Sequence, residues 1–148
     1  MKILLAIDGS AHSKIVLESV AGRPFPPNTE VLIVSAFEGS ALIMSAPAPM
    51  GGLAGYYEET DAISRRLAED VVKDGAKFLG EKNSSLSITI AVIKGSPKSV
   101  ILEEAEKFGA DLIVVGSHGG RAVGRFLLGS VSQAVALHAK CSVEIVRK

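Results

Sequence analysis

Five short runs rich in isoleucine and valine alternate along the chain with segments of helical character, and this alternation constrains the fold more than any other feature. The runs lie at residues 2–8, 30–37, 87–93, 111–116 and 142–146. Several are apolar on both faces, which is typical of parallel strands covered by helices on each side. Between them, residues 10–22, 57–83, 96–109 and 129–139 carry the capping residues or the apolar spacing of helices.

This order of elements, with strands and helices alternating from the first strand to the last, predicts an α/β fold. Because connections between parallel strands are right-handed, it favours an open five-stranded parallel sheet with strand order 3-2-1-4-5 and helices on both faces, a Rossmann-like arrangement. Ligands of such sheets bind at the carboxyl ends of the strands where the winding reverses. That point lies between the first strand, ending at Asp8, and the fourth, ending at Gly116.

Size and composition indicate one domain, residues 1–148, because 148 residues of 47% hydrophobic content suffice for a single core. The 16 basic and 16 acidic residues balance, so no overall field attracts nucleic acid or a membrane surface. The apolar runs are too short to span a bilayer and Asp8 comes too early for a secretory signal, so we expect a cytoplasmic protein. Cys141 is the single cysteine, which excludes an internal disulfide, and we expect it to be a small packing residue.

Two further expectations concern the middle of the chain. Residues 38–59 are rich in Gly, Ala and Pro and interrupt the regular pattern, which predicts a flexible insertion; a mobile lid over the site and a poorly ordered loop are both open. In the following helix, the spacing of Ile63, Leu67, Val71 and Phe78 predicts the apolar face.

The stretch from 114 to 135 contains five glycines between a predicted strand and a predicted helix. Glycine lets the backbone approach a ligand closely, and a helix N-terminus offers unpaired N–H groups and the positive end of the helix dipole. The pattern predicts a phosphate site on Gly116, Gly119, Gly129, Ser130 and Val131, with the Ser130 hydroxyl capping the helix or reaching a phosphate oxygen. The alternative is that these glycines only turn the chain.

The spacing Gly116-x2-Gly119-x9-Gly129-Ser130 resembles the G-x2-G-x9-G-[ST] motif of the ATP-binding branch of the universal stress protein family. The segments "ILLAIDGS", "DLIVVGSHG" and "LLGSVSQAVALHAKCSVEIVR" resemble that family's first strand, fourth strand and closing helix and strand. The resemblance covers the chain apart from residues 38–59.

The resemblance implies a role for each matching residue. Asp8 should bond the ribose hydroxyls, the Ala36 backbone should meet adenine, and Val115 should line the base pocket. The phosphates should lie on the backbone of Gly116, Gly119, Gly129, Ser130 and Val131, with Ser132 nearby. For Asp8 the chemistry agrees, because a carboxylate is a good acceptor for two hydroxyls, and a helix-capping role for it is compatible with this one.

Other polar residues lie near the motif. Two roles are open for the arginines, and one role is expected for each histidine. Arg121 and Arg125 either neutralise phosphate charge or are solvated loop residues. His118 is interpreted as a polar loop residue, and His12 and His138 are expected on helices, facing solvent or a neighbouring helix.

The resemblance implies a stress-response regulatory protein that binds ATP, AMP or ADP, with or without Mg²⁺. Because the sequence offers loop arginines but no clear acidic metal ligand or base, we expect that it is not an efficient enzyme. Two alternatives stay open, a slow ATPase or phosphotransferase and a dimeric scaffold that binds no nucleotide. The last strand, 142–146, is predicted to be a sheet edge, and the resemblance implies that it pairs with its copy in a homodimer.

Overall fold

The computed structural model describes residues 1–38, 53–118 and 128–147, with the side chains of 53–57 outside the description. The strands are β1 Lys2–Ala6, β2 Glu30–Phe37, β3 Ser87–Lys94, β4 Leu112–Gly116 and β5 Ser142–Val146. The helices are α1 Ala11–Ala21, α2 Leu53–Lys82, α3 Pro97–Phe108 and α4 Ser130–His138. The alternation of strands and helices predicted from the sequence is confirmed.

The strands form one parallel sheet of order β3-β2-β1-β4-β5, which confirms the predicted 3-2-1-4-5 arrangement. Central strand β1 is fully buried at Ile3, Leu4 and Leu5. Because successive side chains of a strand point to opposite faces, Ile3 and Leu5 join the core against α1 and α2, whereas Leu4 joins the core against α3 and α4. The sheet is therefore covered on both faces.

Helix ends follow the sequence signals. The Ser10 side chain accepts a hydrogen bond from the Ser13 N–H at the start of α1. Pro97 is the first residue of α3, and Gly109 ends that helix in the left-handed conformation with φ of 69°. A glycine is favoured there because other residues are strained at positive φ. No helix within 1–38, 53–118 and 128–147 has both the length and the apolar character needed to cross a membrane.

Helix α2 differs from its prediction in both its start and its buried face. It begins at Leu53, so residues 53–59 of the predicted insertion are helical, while 39–52 lie outside the described residues. Ile63 and Leu67 are 53% and 59% exposed, so assigning them to the apolar face was wrong. The buried positions are Ala68, Val72, Gly75 and Leu79.

Close helix packing explains the shifted face. A Cβ atom at Gly75 would lie 2.8 Å from Ile7 Cδ1, so the backbone of α2 approaches the sheet where its residue has no side chain. Small residues at 68 and 75 therefore determine which side of α2 faces the sheet, and hydrophobic spacing alone does not show this preference. Val71 and Phe78 of the predicted face are partly buried against the same core.

An ion pair connects the edge strand β5 to the segment that follows α1. The Arg23 guanidinium donates two hydrogen bonds to Glu144, of 2.6 and 2.5 Å. These hydrogen bonds hold the pKa of Glu144 below its usual value and raise that of Arg23.

Cys141, which precedes β5, packs against the core on the α3 and α4 side, where burial raises the pKa of its thiol.

We expect Glu144→Gln to lower the free energy of unfolding at pH 7 by about 0.5–1 kcal/mol, the range for partly exposed pairs. A carboxyl whose pKa is lowered by folding stabilises the protein above its unfolded pKa, and this contribution is lost as the pH falls through the folded value. The difference from the native protein should therefore shrink below about pH 4.5. Urea unfolding at pH 7 and pH 3 measures both values, with the exposed Glu81→Gln as control. An equal loss at both pH values would contradict the ion-pair explanation.

Candidate functional site

Two adjoining open cavities lie at the carboxyl ends of β1 and β4, where the winding of the sheet reverses. The first, of about 110 Å³, has mainly apolar walls that include Val34, Ala36, Ile101 and Val115. The second, of about 580 Å³, is more polar and is lined by residues that include Glu38, Ser96, Lys98 and Ser130. The two cavities share Asp8, Pro97, Gly116, His118 and Val131.

The structure brings together the site residues predicted from the sequence wherever it describes them. Each of the following lines one cavity or both: Asp8, Ala36, Val115, Gly116, Gly129, Ser130, Val131 and Ser132. Gly119, Arg121 and Arg125 lie outside the described residues. The residues that end β1, β2 and β4 reach the site because parallel strands direct their carboxyl ends to one edge of the sheet. The residues from 129 to 132 reach it from the start of α4.

Asp8 is held in place by the start of α1. Its Oδ1 accepts hydrogen bonds from the Ser10 N–H at 3.0 Å and the Ser13 hydroxyl at 2.7 Å. The Asp8 N–H donates to Ser13 Oγ at 2.8 Å. The cap of α1 is Ser10, so the capping role considered for Asp8 belongs to Ser10 instead. The hydrogen bonds from Ser10 and Ser13 hold the Asp8 carboxylate at the boundary of the two cavities. Sequence reasoning did not identify Ser13 as its partner, although the spacing "DGSAHS" contained the signal.

Gly9 makes the turn between β1 and α1. Its φ of 77° lies in the left-handed region, and a Cβ atom there would be 2.8 Å from Val71 Cγ2. The turn that presents Asp8 thus packs directly on α2. A side chain at this position would meet both a backbone strain and a steric clash.

The start of α4 is fastened to the end of β4. The Gly129 N–H donates to the Ser117 carbonyl at 2.7 Å, and the Ser132 hydroxyl lies within hydrogen-bond distance of the Ser117 and Gly129 carbonyls. The Gly129 N–H and the Ser132 hydroxyl therefore have acceptors within the protein. The Ser130 and Val131 N–H groups, at the helix start, have no acceptor in the described chain and border the polar cavity.

Gly116 and Gly129 are required by close packing around this junction. A Cβ atom at Gly116 would lie 3.0 Å from His12 Cβ. At Gly129 it would lie 3.1 Å from the Ser117 carbonyl oxygen and 3.3 Å from His118 Cα. The packing role that the sequence left open therefore applies to both glycines. The same two residues also border the cavities.

Two histidines meet at the site, a contact that sequence analysis missed. The His12 and His118 ring centroids are 5.5 Å apart and the planes are tilted by 46°. His118 Nδ1 lies 3.2 Å from Ser117 Oγ, while its buried Nε2 has no hydrogen-bond partner among the described residues. No spacing in the sequence connects residues 12 and 118. Only the pairing of β1 with β4 brings the two segments together.

Metal-ligating side chains do not gather in the described ranges: no group of three or more His, Cys, Asp or Glu there could hold a metal ion.

The fold and the cavities define a doubly wound α/β domain whose candidate ligand site lies at the switch point of the sheet. A family model described as the universal stress protein family matches residues 1–147, and the chain belongs to this family. A universal stress protein of Thermus aquaticus is 34% identical over 147 residues, covering 98% of this chain and 97% of the relative.

Solved structures share the fold at lower identity. The hypothetical protein MJ0577 has a TM-score of 0.83 at 24% identity, covering 99% of this chain and 96% of that one. A universal stress protein in complex with cAMP gives 0.67 at 23% identity, with coverage of 99% and 96%. A family member from Arabidopsis thaliana with AMP bound gives 0.62 at 19% identity, with coverage of 100% and 92%.

We expect Gly9→Ala to lower the free energy of unfolding by about 1–3 kcal/mol, because it adds strain at positive φ and a clash with Val71. Urea unfolding measures the loss. The matched control is Gly80→Ala in α2, where the new Cβ would lie 3.8 Å from Ile88 Cδ1 in ordinary contact. Equal stability of the two variants would show that the turn tolerates a side chain.

Proposed function

We propose that this universal stress protein is a stress-response regulatory protein that binds an adenine nucleotide, with the base in the apolar cavity and the phosphates in the polar one. The observation that carries the proposal is the junction of two cavities of different character at Asp8 and Gly116, beside the start of α4. The cAMP and AMP in the two neighbouring structures support the choice of an adenine nucleotide.

The apolar cavity suits a base for two reasons. Val34, Ile101 and Val115 provide apolar surface. The Ile7 N–H donates to the Val34 carbonyl near the end of β1. Since backbone groups of a strand alternate in direction, those of Ala36 point the same way as those of Val34, beyond the end of β1. They are then directed to the edge of a base, in agreement with the role expected for Ala36.

Asp8 separates the base from the phosphates. Its carboxylate accepts hydrogen bonds from hydroxyl groups and repels phosphate oxygens, so a ribose is the part of a nucleotide that suits it. The bonds from Ser10 and Ser13 hold it in place before the ligand arrives. This arrangement favours one orientation of the nucleotide along the two cavities.

The phosphates are proposed to lie against the start of α4. The N–H groups of Ser130 and Val131 and the positive end of the helix dipole favour an anion there. Lys98 is a basic residue on the same cavity. Gly119 and Arg121 remain predicted contacts. Mg²⁺ usually binds through one or two carboxylates and the ligand's phosphates, and Asp8 and Glu38 are the described carboxylates on this cavity.

Gly129→Val tests the proposal, because its side chain would collide with backbone atoms of Ser117 and His118 and displace the start of α4. We expect at least a hundredfold weaker ATP binding by isothermal titration, and the same for ADP and AMP. Ser130→Ala, which keeps the N–H group, should bind within about threefold of the native protein. Titrations with and without Mg²⁺ and with GTP define the preferred ligand, and a phosphate-release assay measures any hydrolysis.

Circular dichroism and mass spectrometry under non-denaturing conditions are the controls for folding and for carried-over nucleotide. Unchanged affinity in folded Gly129→Val would refute the phosphate cradle. No binding of any nucleotide by folded, empty native protein would refute the nucleotide proposal and favour the scaffold function.

We also propose that β5 pairs with its copy in a homodimer. The strand lies at the edge of the sheet, with β4 on one side. The Val146 carbonyl accepts from the Ser117 N–H, so by alternation the N–H groups of Val143 and Ile145 point away from β4. An uncovered edge with such donors is suited to pair with another strand.

Sedimentation equilibrium should therefore find a dimer, and Val143→Pro should weaken it at least tenfold by removing one outward N–H group. Val143→Ala is the matched control, because it shortens the side chain and keeps the N–H group. Dissociation of both variants would assign the interface to side chains, and a monomeric native protein would refute the dimer.

A further inference from the structure

His118 borders the polar cavity in which the phosphates are proposed to bind, and His12 lies behind it in contact with its ring. His118 lines both cavities, and its ring contacts His12 at 5.5 Å. The pair stands at the end of β4, beside Gly116 and close to Gly129 at the start of α4. Both rings are partly buried.

His118 Nε2 is buried and has no hydrogen-bond partner among the residues that the structure describes, which is unusual for the interior of a protein. Buried polar nitrogens nearly always have a hydrogen-bond partner, so an atom without one suggests a ligand or a bound water. A neutral imidazole nitrogen accepts or donates depending on its tautomer, and a protonated imidazole donates from both nitrogens. A phosphate oxygen accepts a hydrogen bond from any ring that carries a proton on Nε2, and a protonated ring adds a positive charge that strengthens this bond.

The two rings are close enough for their charges to interact. Their centroids are 5.5 Å apart, so two positive charges there would repel each other. A phosphate beside the rings offsets this repulsion. Histidine is the side chain that ordinarily gains or loses a proton between pH 5 and 8.

Other charges near the pair come from several elements. Those on the cavity shared with His118 are Asp8 after β1, Glu38 after β2 and Lys98 in α3. Lys14 follows His12 in α1, and Arg147 follows Val146, whose carbonyl binds the Ser117 N–H. These groups are two acids and three bases, and α4 contributes its positive dipole end. A nucleotide adds several negative charges to this setting, and the imidazoles are the groups able to respond by taking up a proton.

We propose that nucleotide binding is coupled to proton uptake by the His12 and His118 pair, so that affinity for a phosphorylated ligand rises as the pH falls. This inference rests on the proposed nucleotide function and adds a form of regulation to that site. The protein then responds to nucleotide concentration and to acidity together. A ligand without phosphate, such as adenosine, lacks the anion that drives the proton uptake.

Isothermal titration of the full chain with ATP at pH 7.5, in buffers of different ionisation enthalpy, measures the protons taken up. We expect roughly half a proton or more per nucleotide, and an affinity that rises about threefold to tenfold from pH 8.5 to 7.5, since one linked proton gives at most tenfold per unit. Adenosine should show neither effect. Working above pH 7 keeps the phosphates largely ionised, because their last proton dissociates near pH 6.

His12→Gln and His118→Gln should each abolish most of the proton uptake, while His138→Gln, exposed at the far end of α4, should keep it. In the native protein, saturating ATP should move the NMR ring signals of His12 and His118 toward their protonated positions and leave His138 unchanged. ATP binding without proton uptake, or uptake unchanged in His12→Gln, would overturn this inference alone. Failure of ATP to bind would overturn the nucleotide proposal and this one with it.

Discussion

Burial of β1 on both faces is the constraint on which the rest of the structure depends. Ile3, Leu4 and Leu5 are inaccessible to solvent, and each contributes about 1.5–3 kcal/mol by burial. A strand buried in this way requires helices above and below the sheet and a neighbouring strand on each side. The chain meets this requirement by winding in one direction from β1 to β3 and in the other from β4 to β5. The reversal leaves a cleft at the end of β1, and this is where Asp8 lies.

Close packing and the proposed ligand contacts involve the same backbone positions. Because Gly116 has no side chain, His12 of α1 packs close to the end of β4. Because Gly129 has none, the start of α4 packs close to the Ser117 carbonyl. The same approach brings the start of α4 to the cavity. The tight junction and the proposed phosphate cradle therefore fall at the same residues, so a packing role of these glycines is compatible with the proposed one.

Much of the fold was predictable from the sequence because strand and helix periodicities are local. The alternation of apolar runs, Ser10 before α1 and Pro97 at the start of α3 each act within a few residues. The face of α2 was not predictable from spacing, because Gly75 selects it through a contact with Ile7 in another element. The site residues matched to the family motif reach the cavities, but the meeting of His12 with His118 depends on the pairing of β1 with β4. The contacts of Gly119 and Arg121 remain predictions.

Helix α2 is longer than the strands it covers. Its 30 residues extend about 45 Å, whereas the eight residues of β3 extend about 26 Å. The ion pair between Asp61 and Lys94 marks the level at which the sheet ends, so the first turns of α2 project past the carboxyl edge, toward the side of the cavities. Further along α2, Gly75 and Leu79 are buried in the core, whereas the side chains at positions 63 and 67 point outward and are exposed. The outward positions of α2, such as 63 and 67, can therefore be substituted without disturbing the core or the residues that line the cavities.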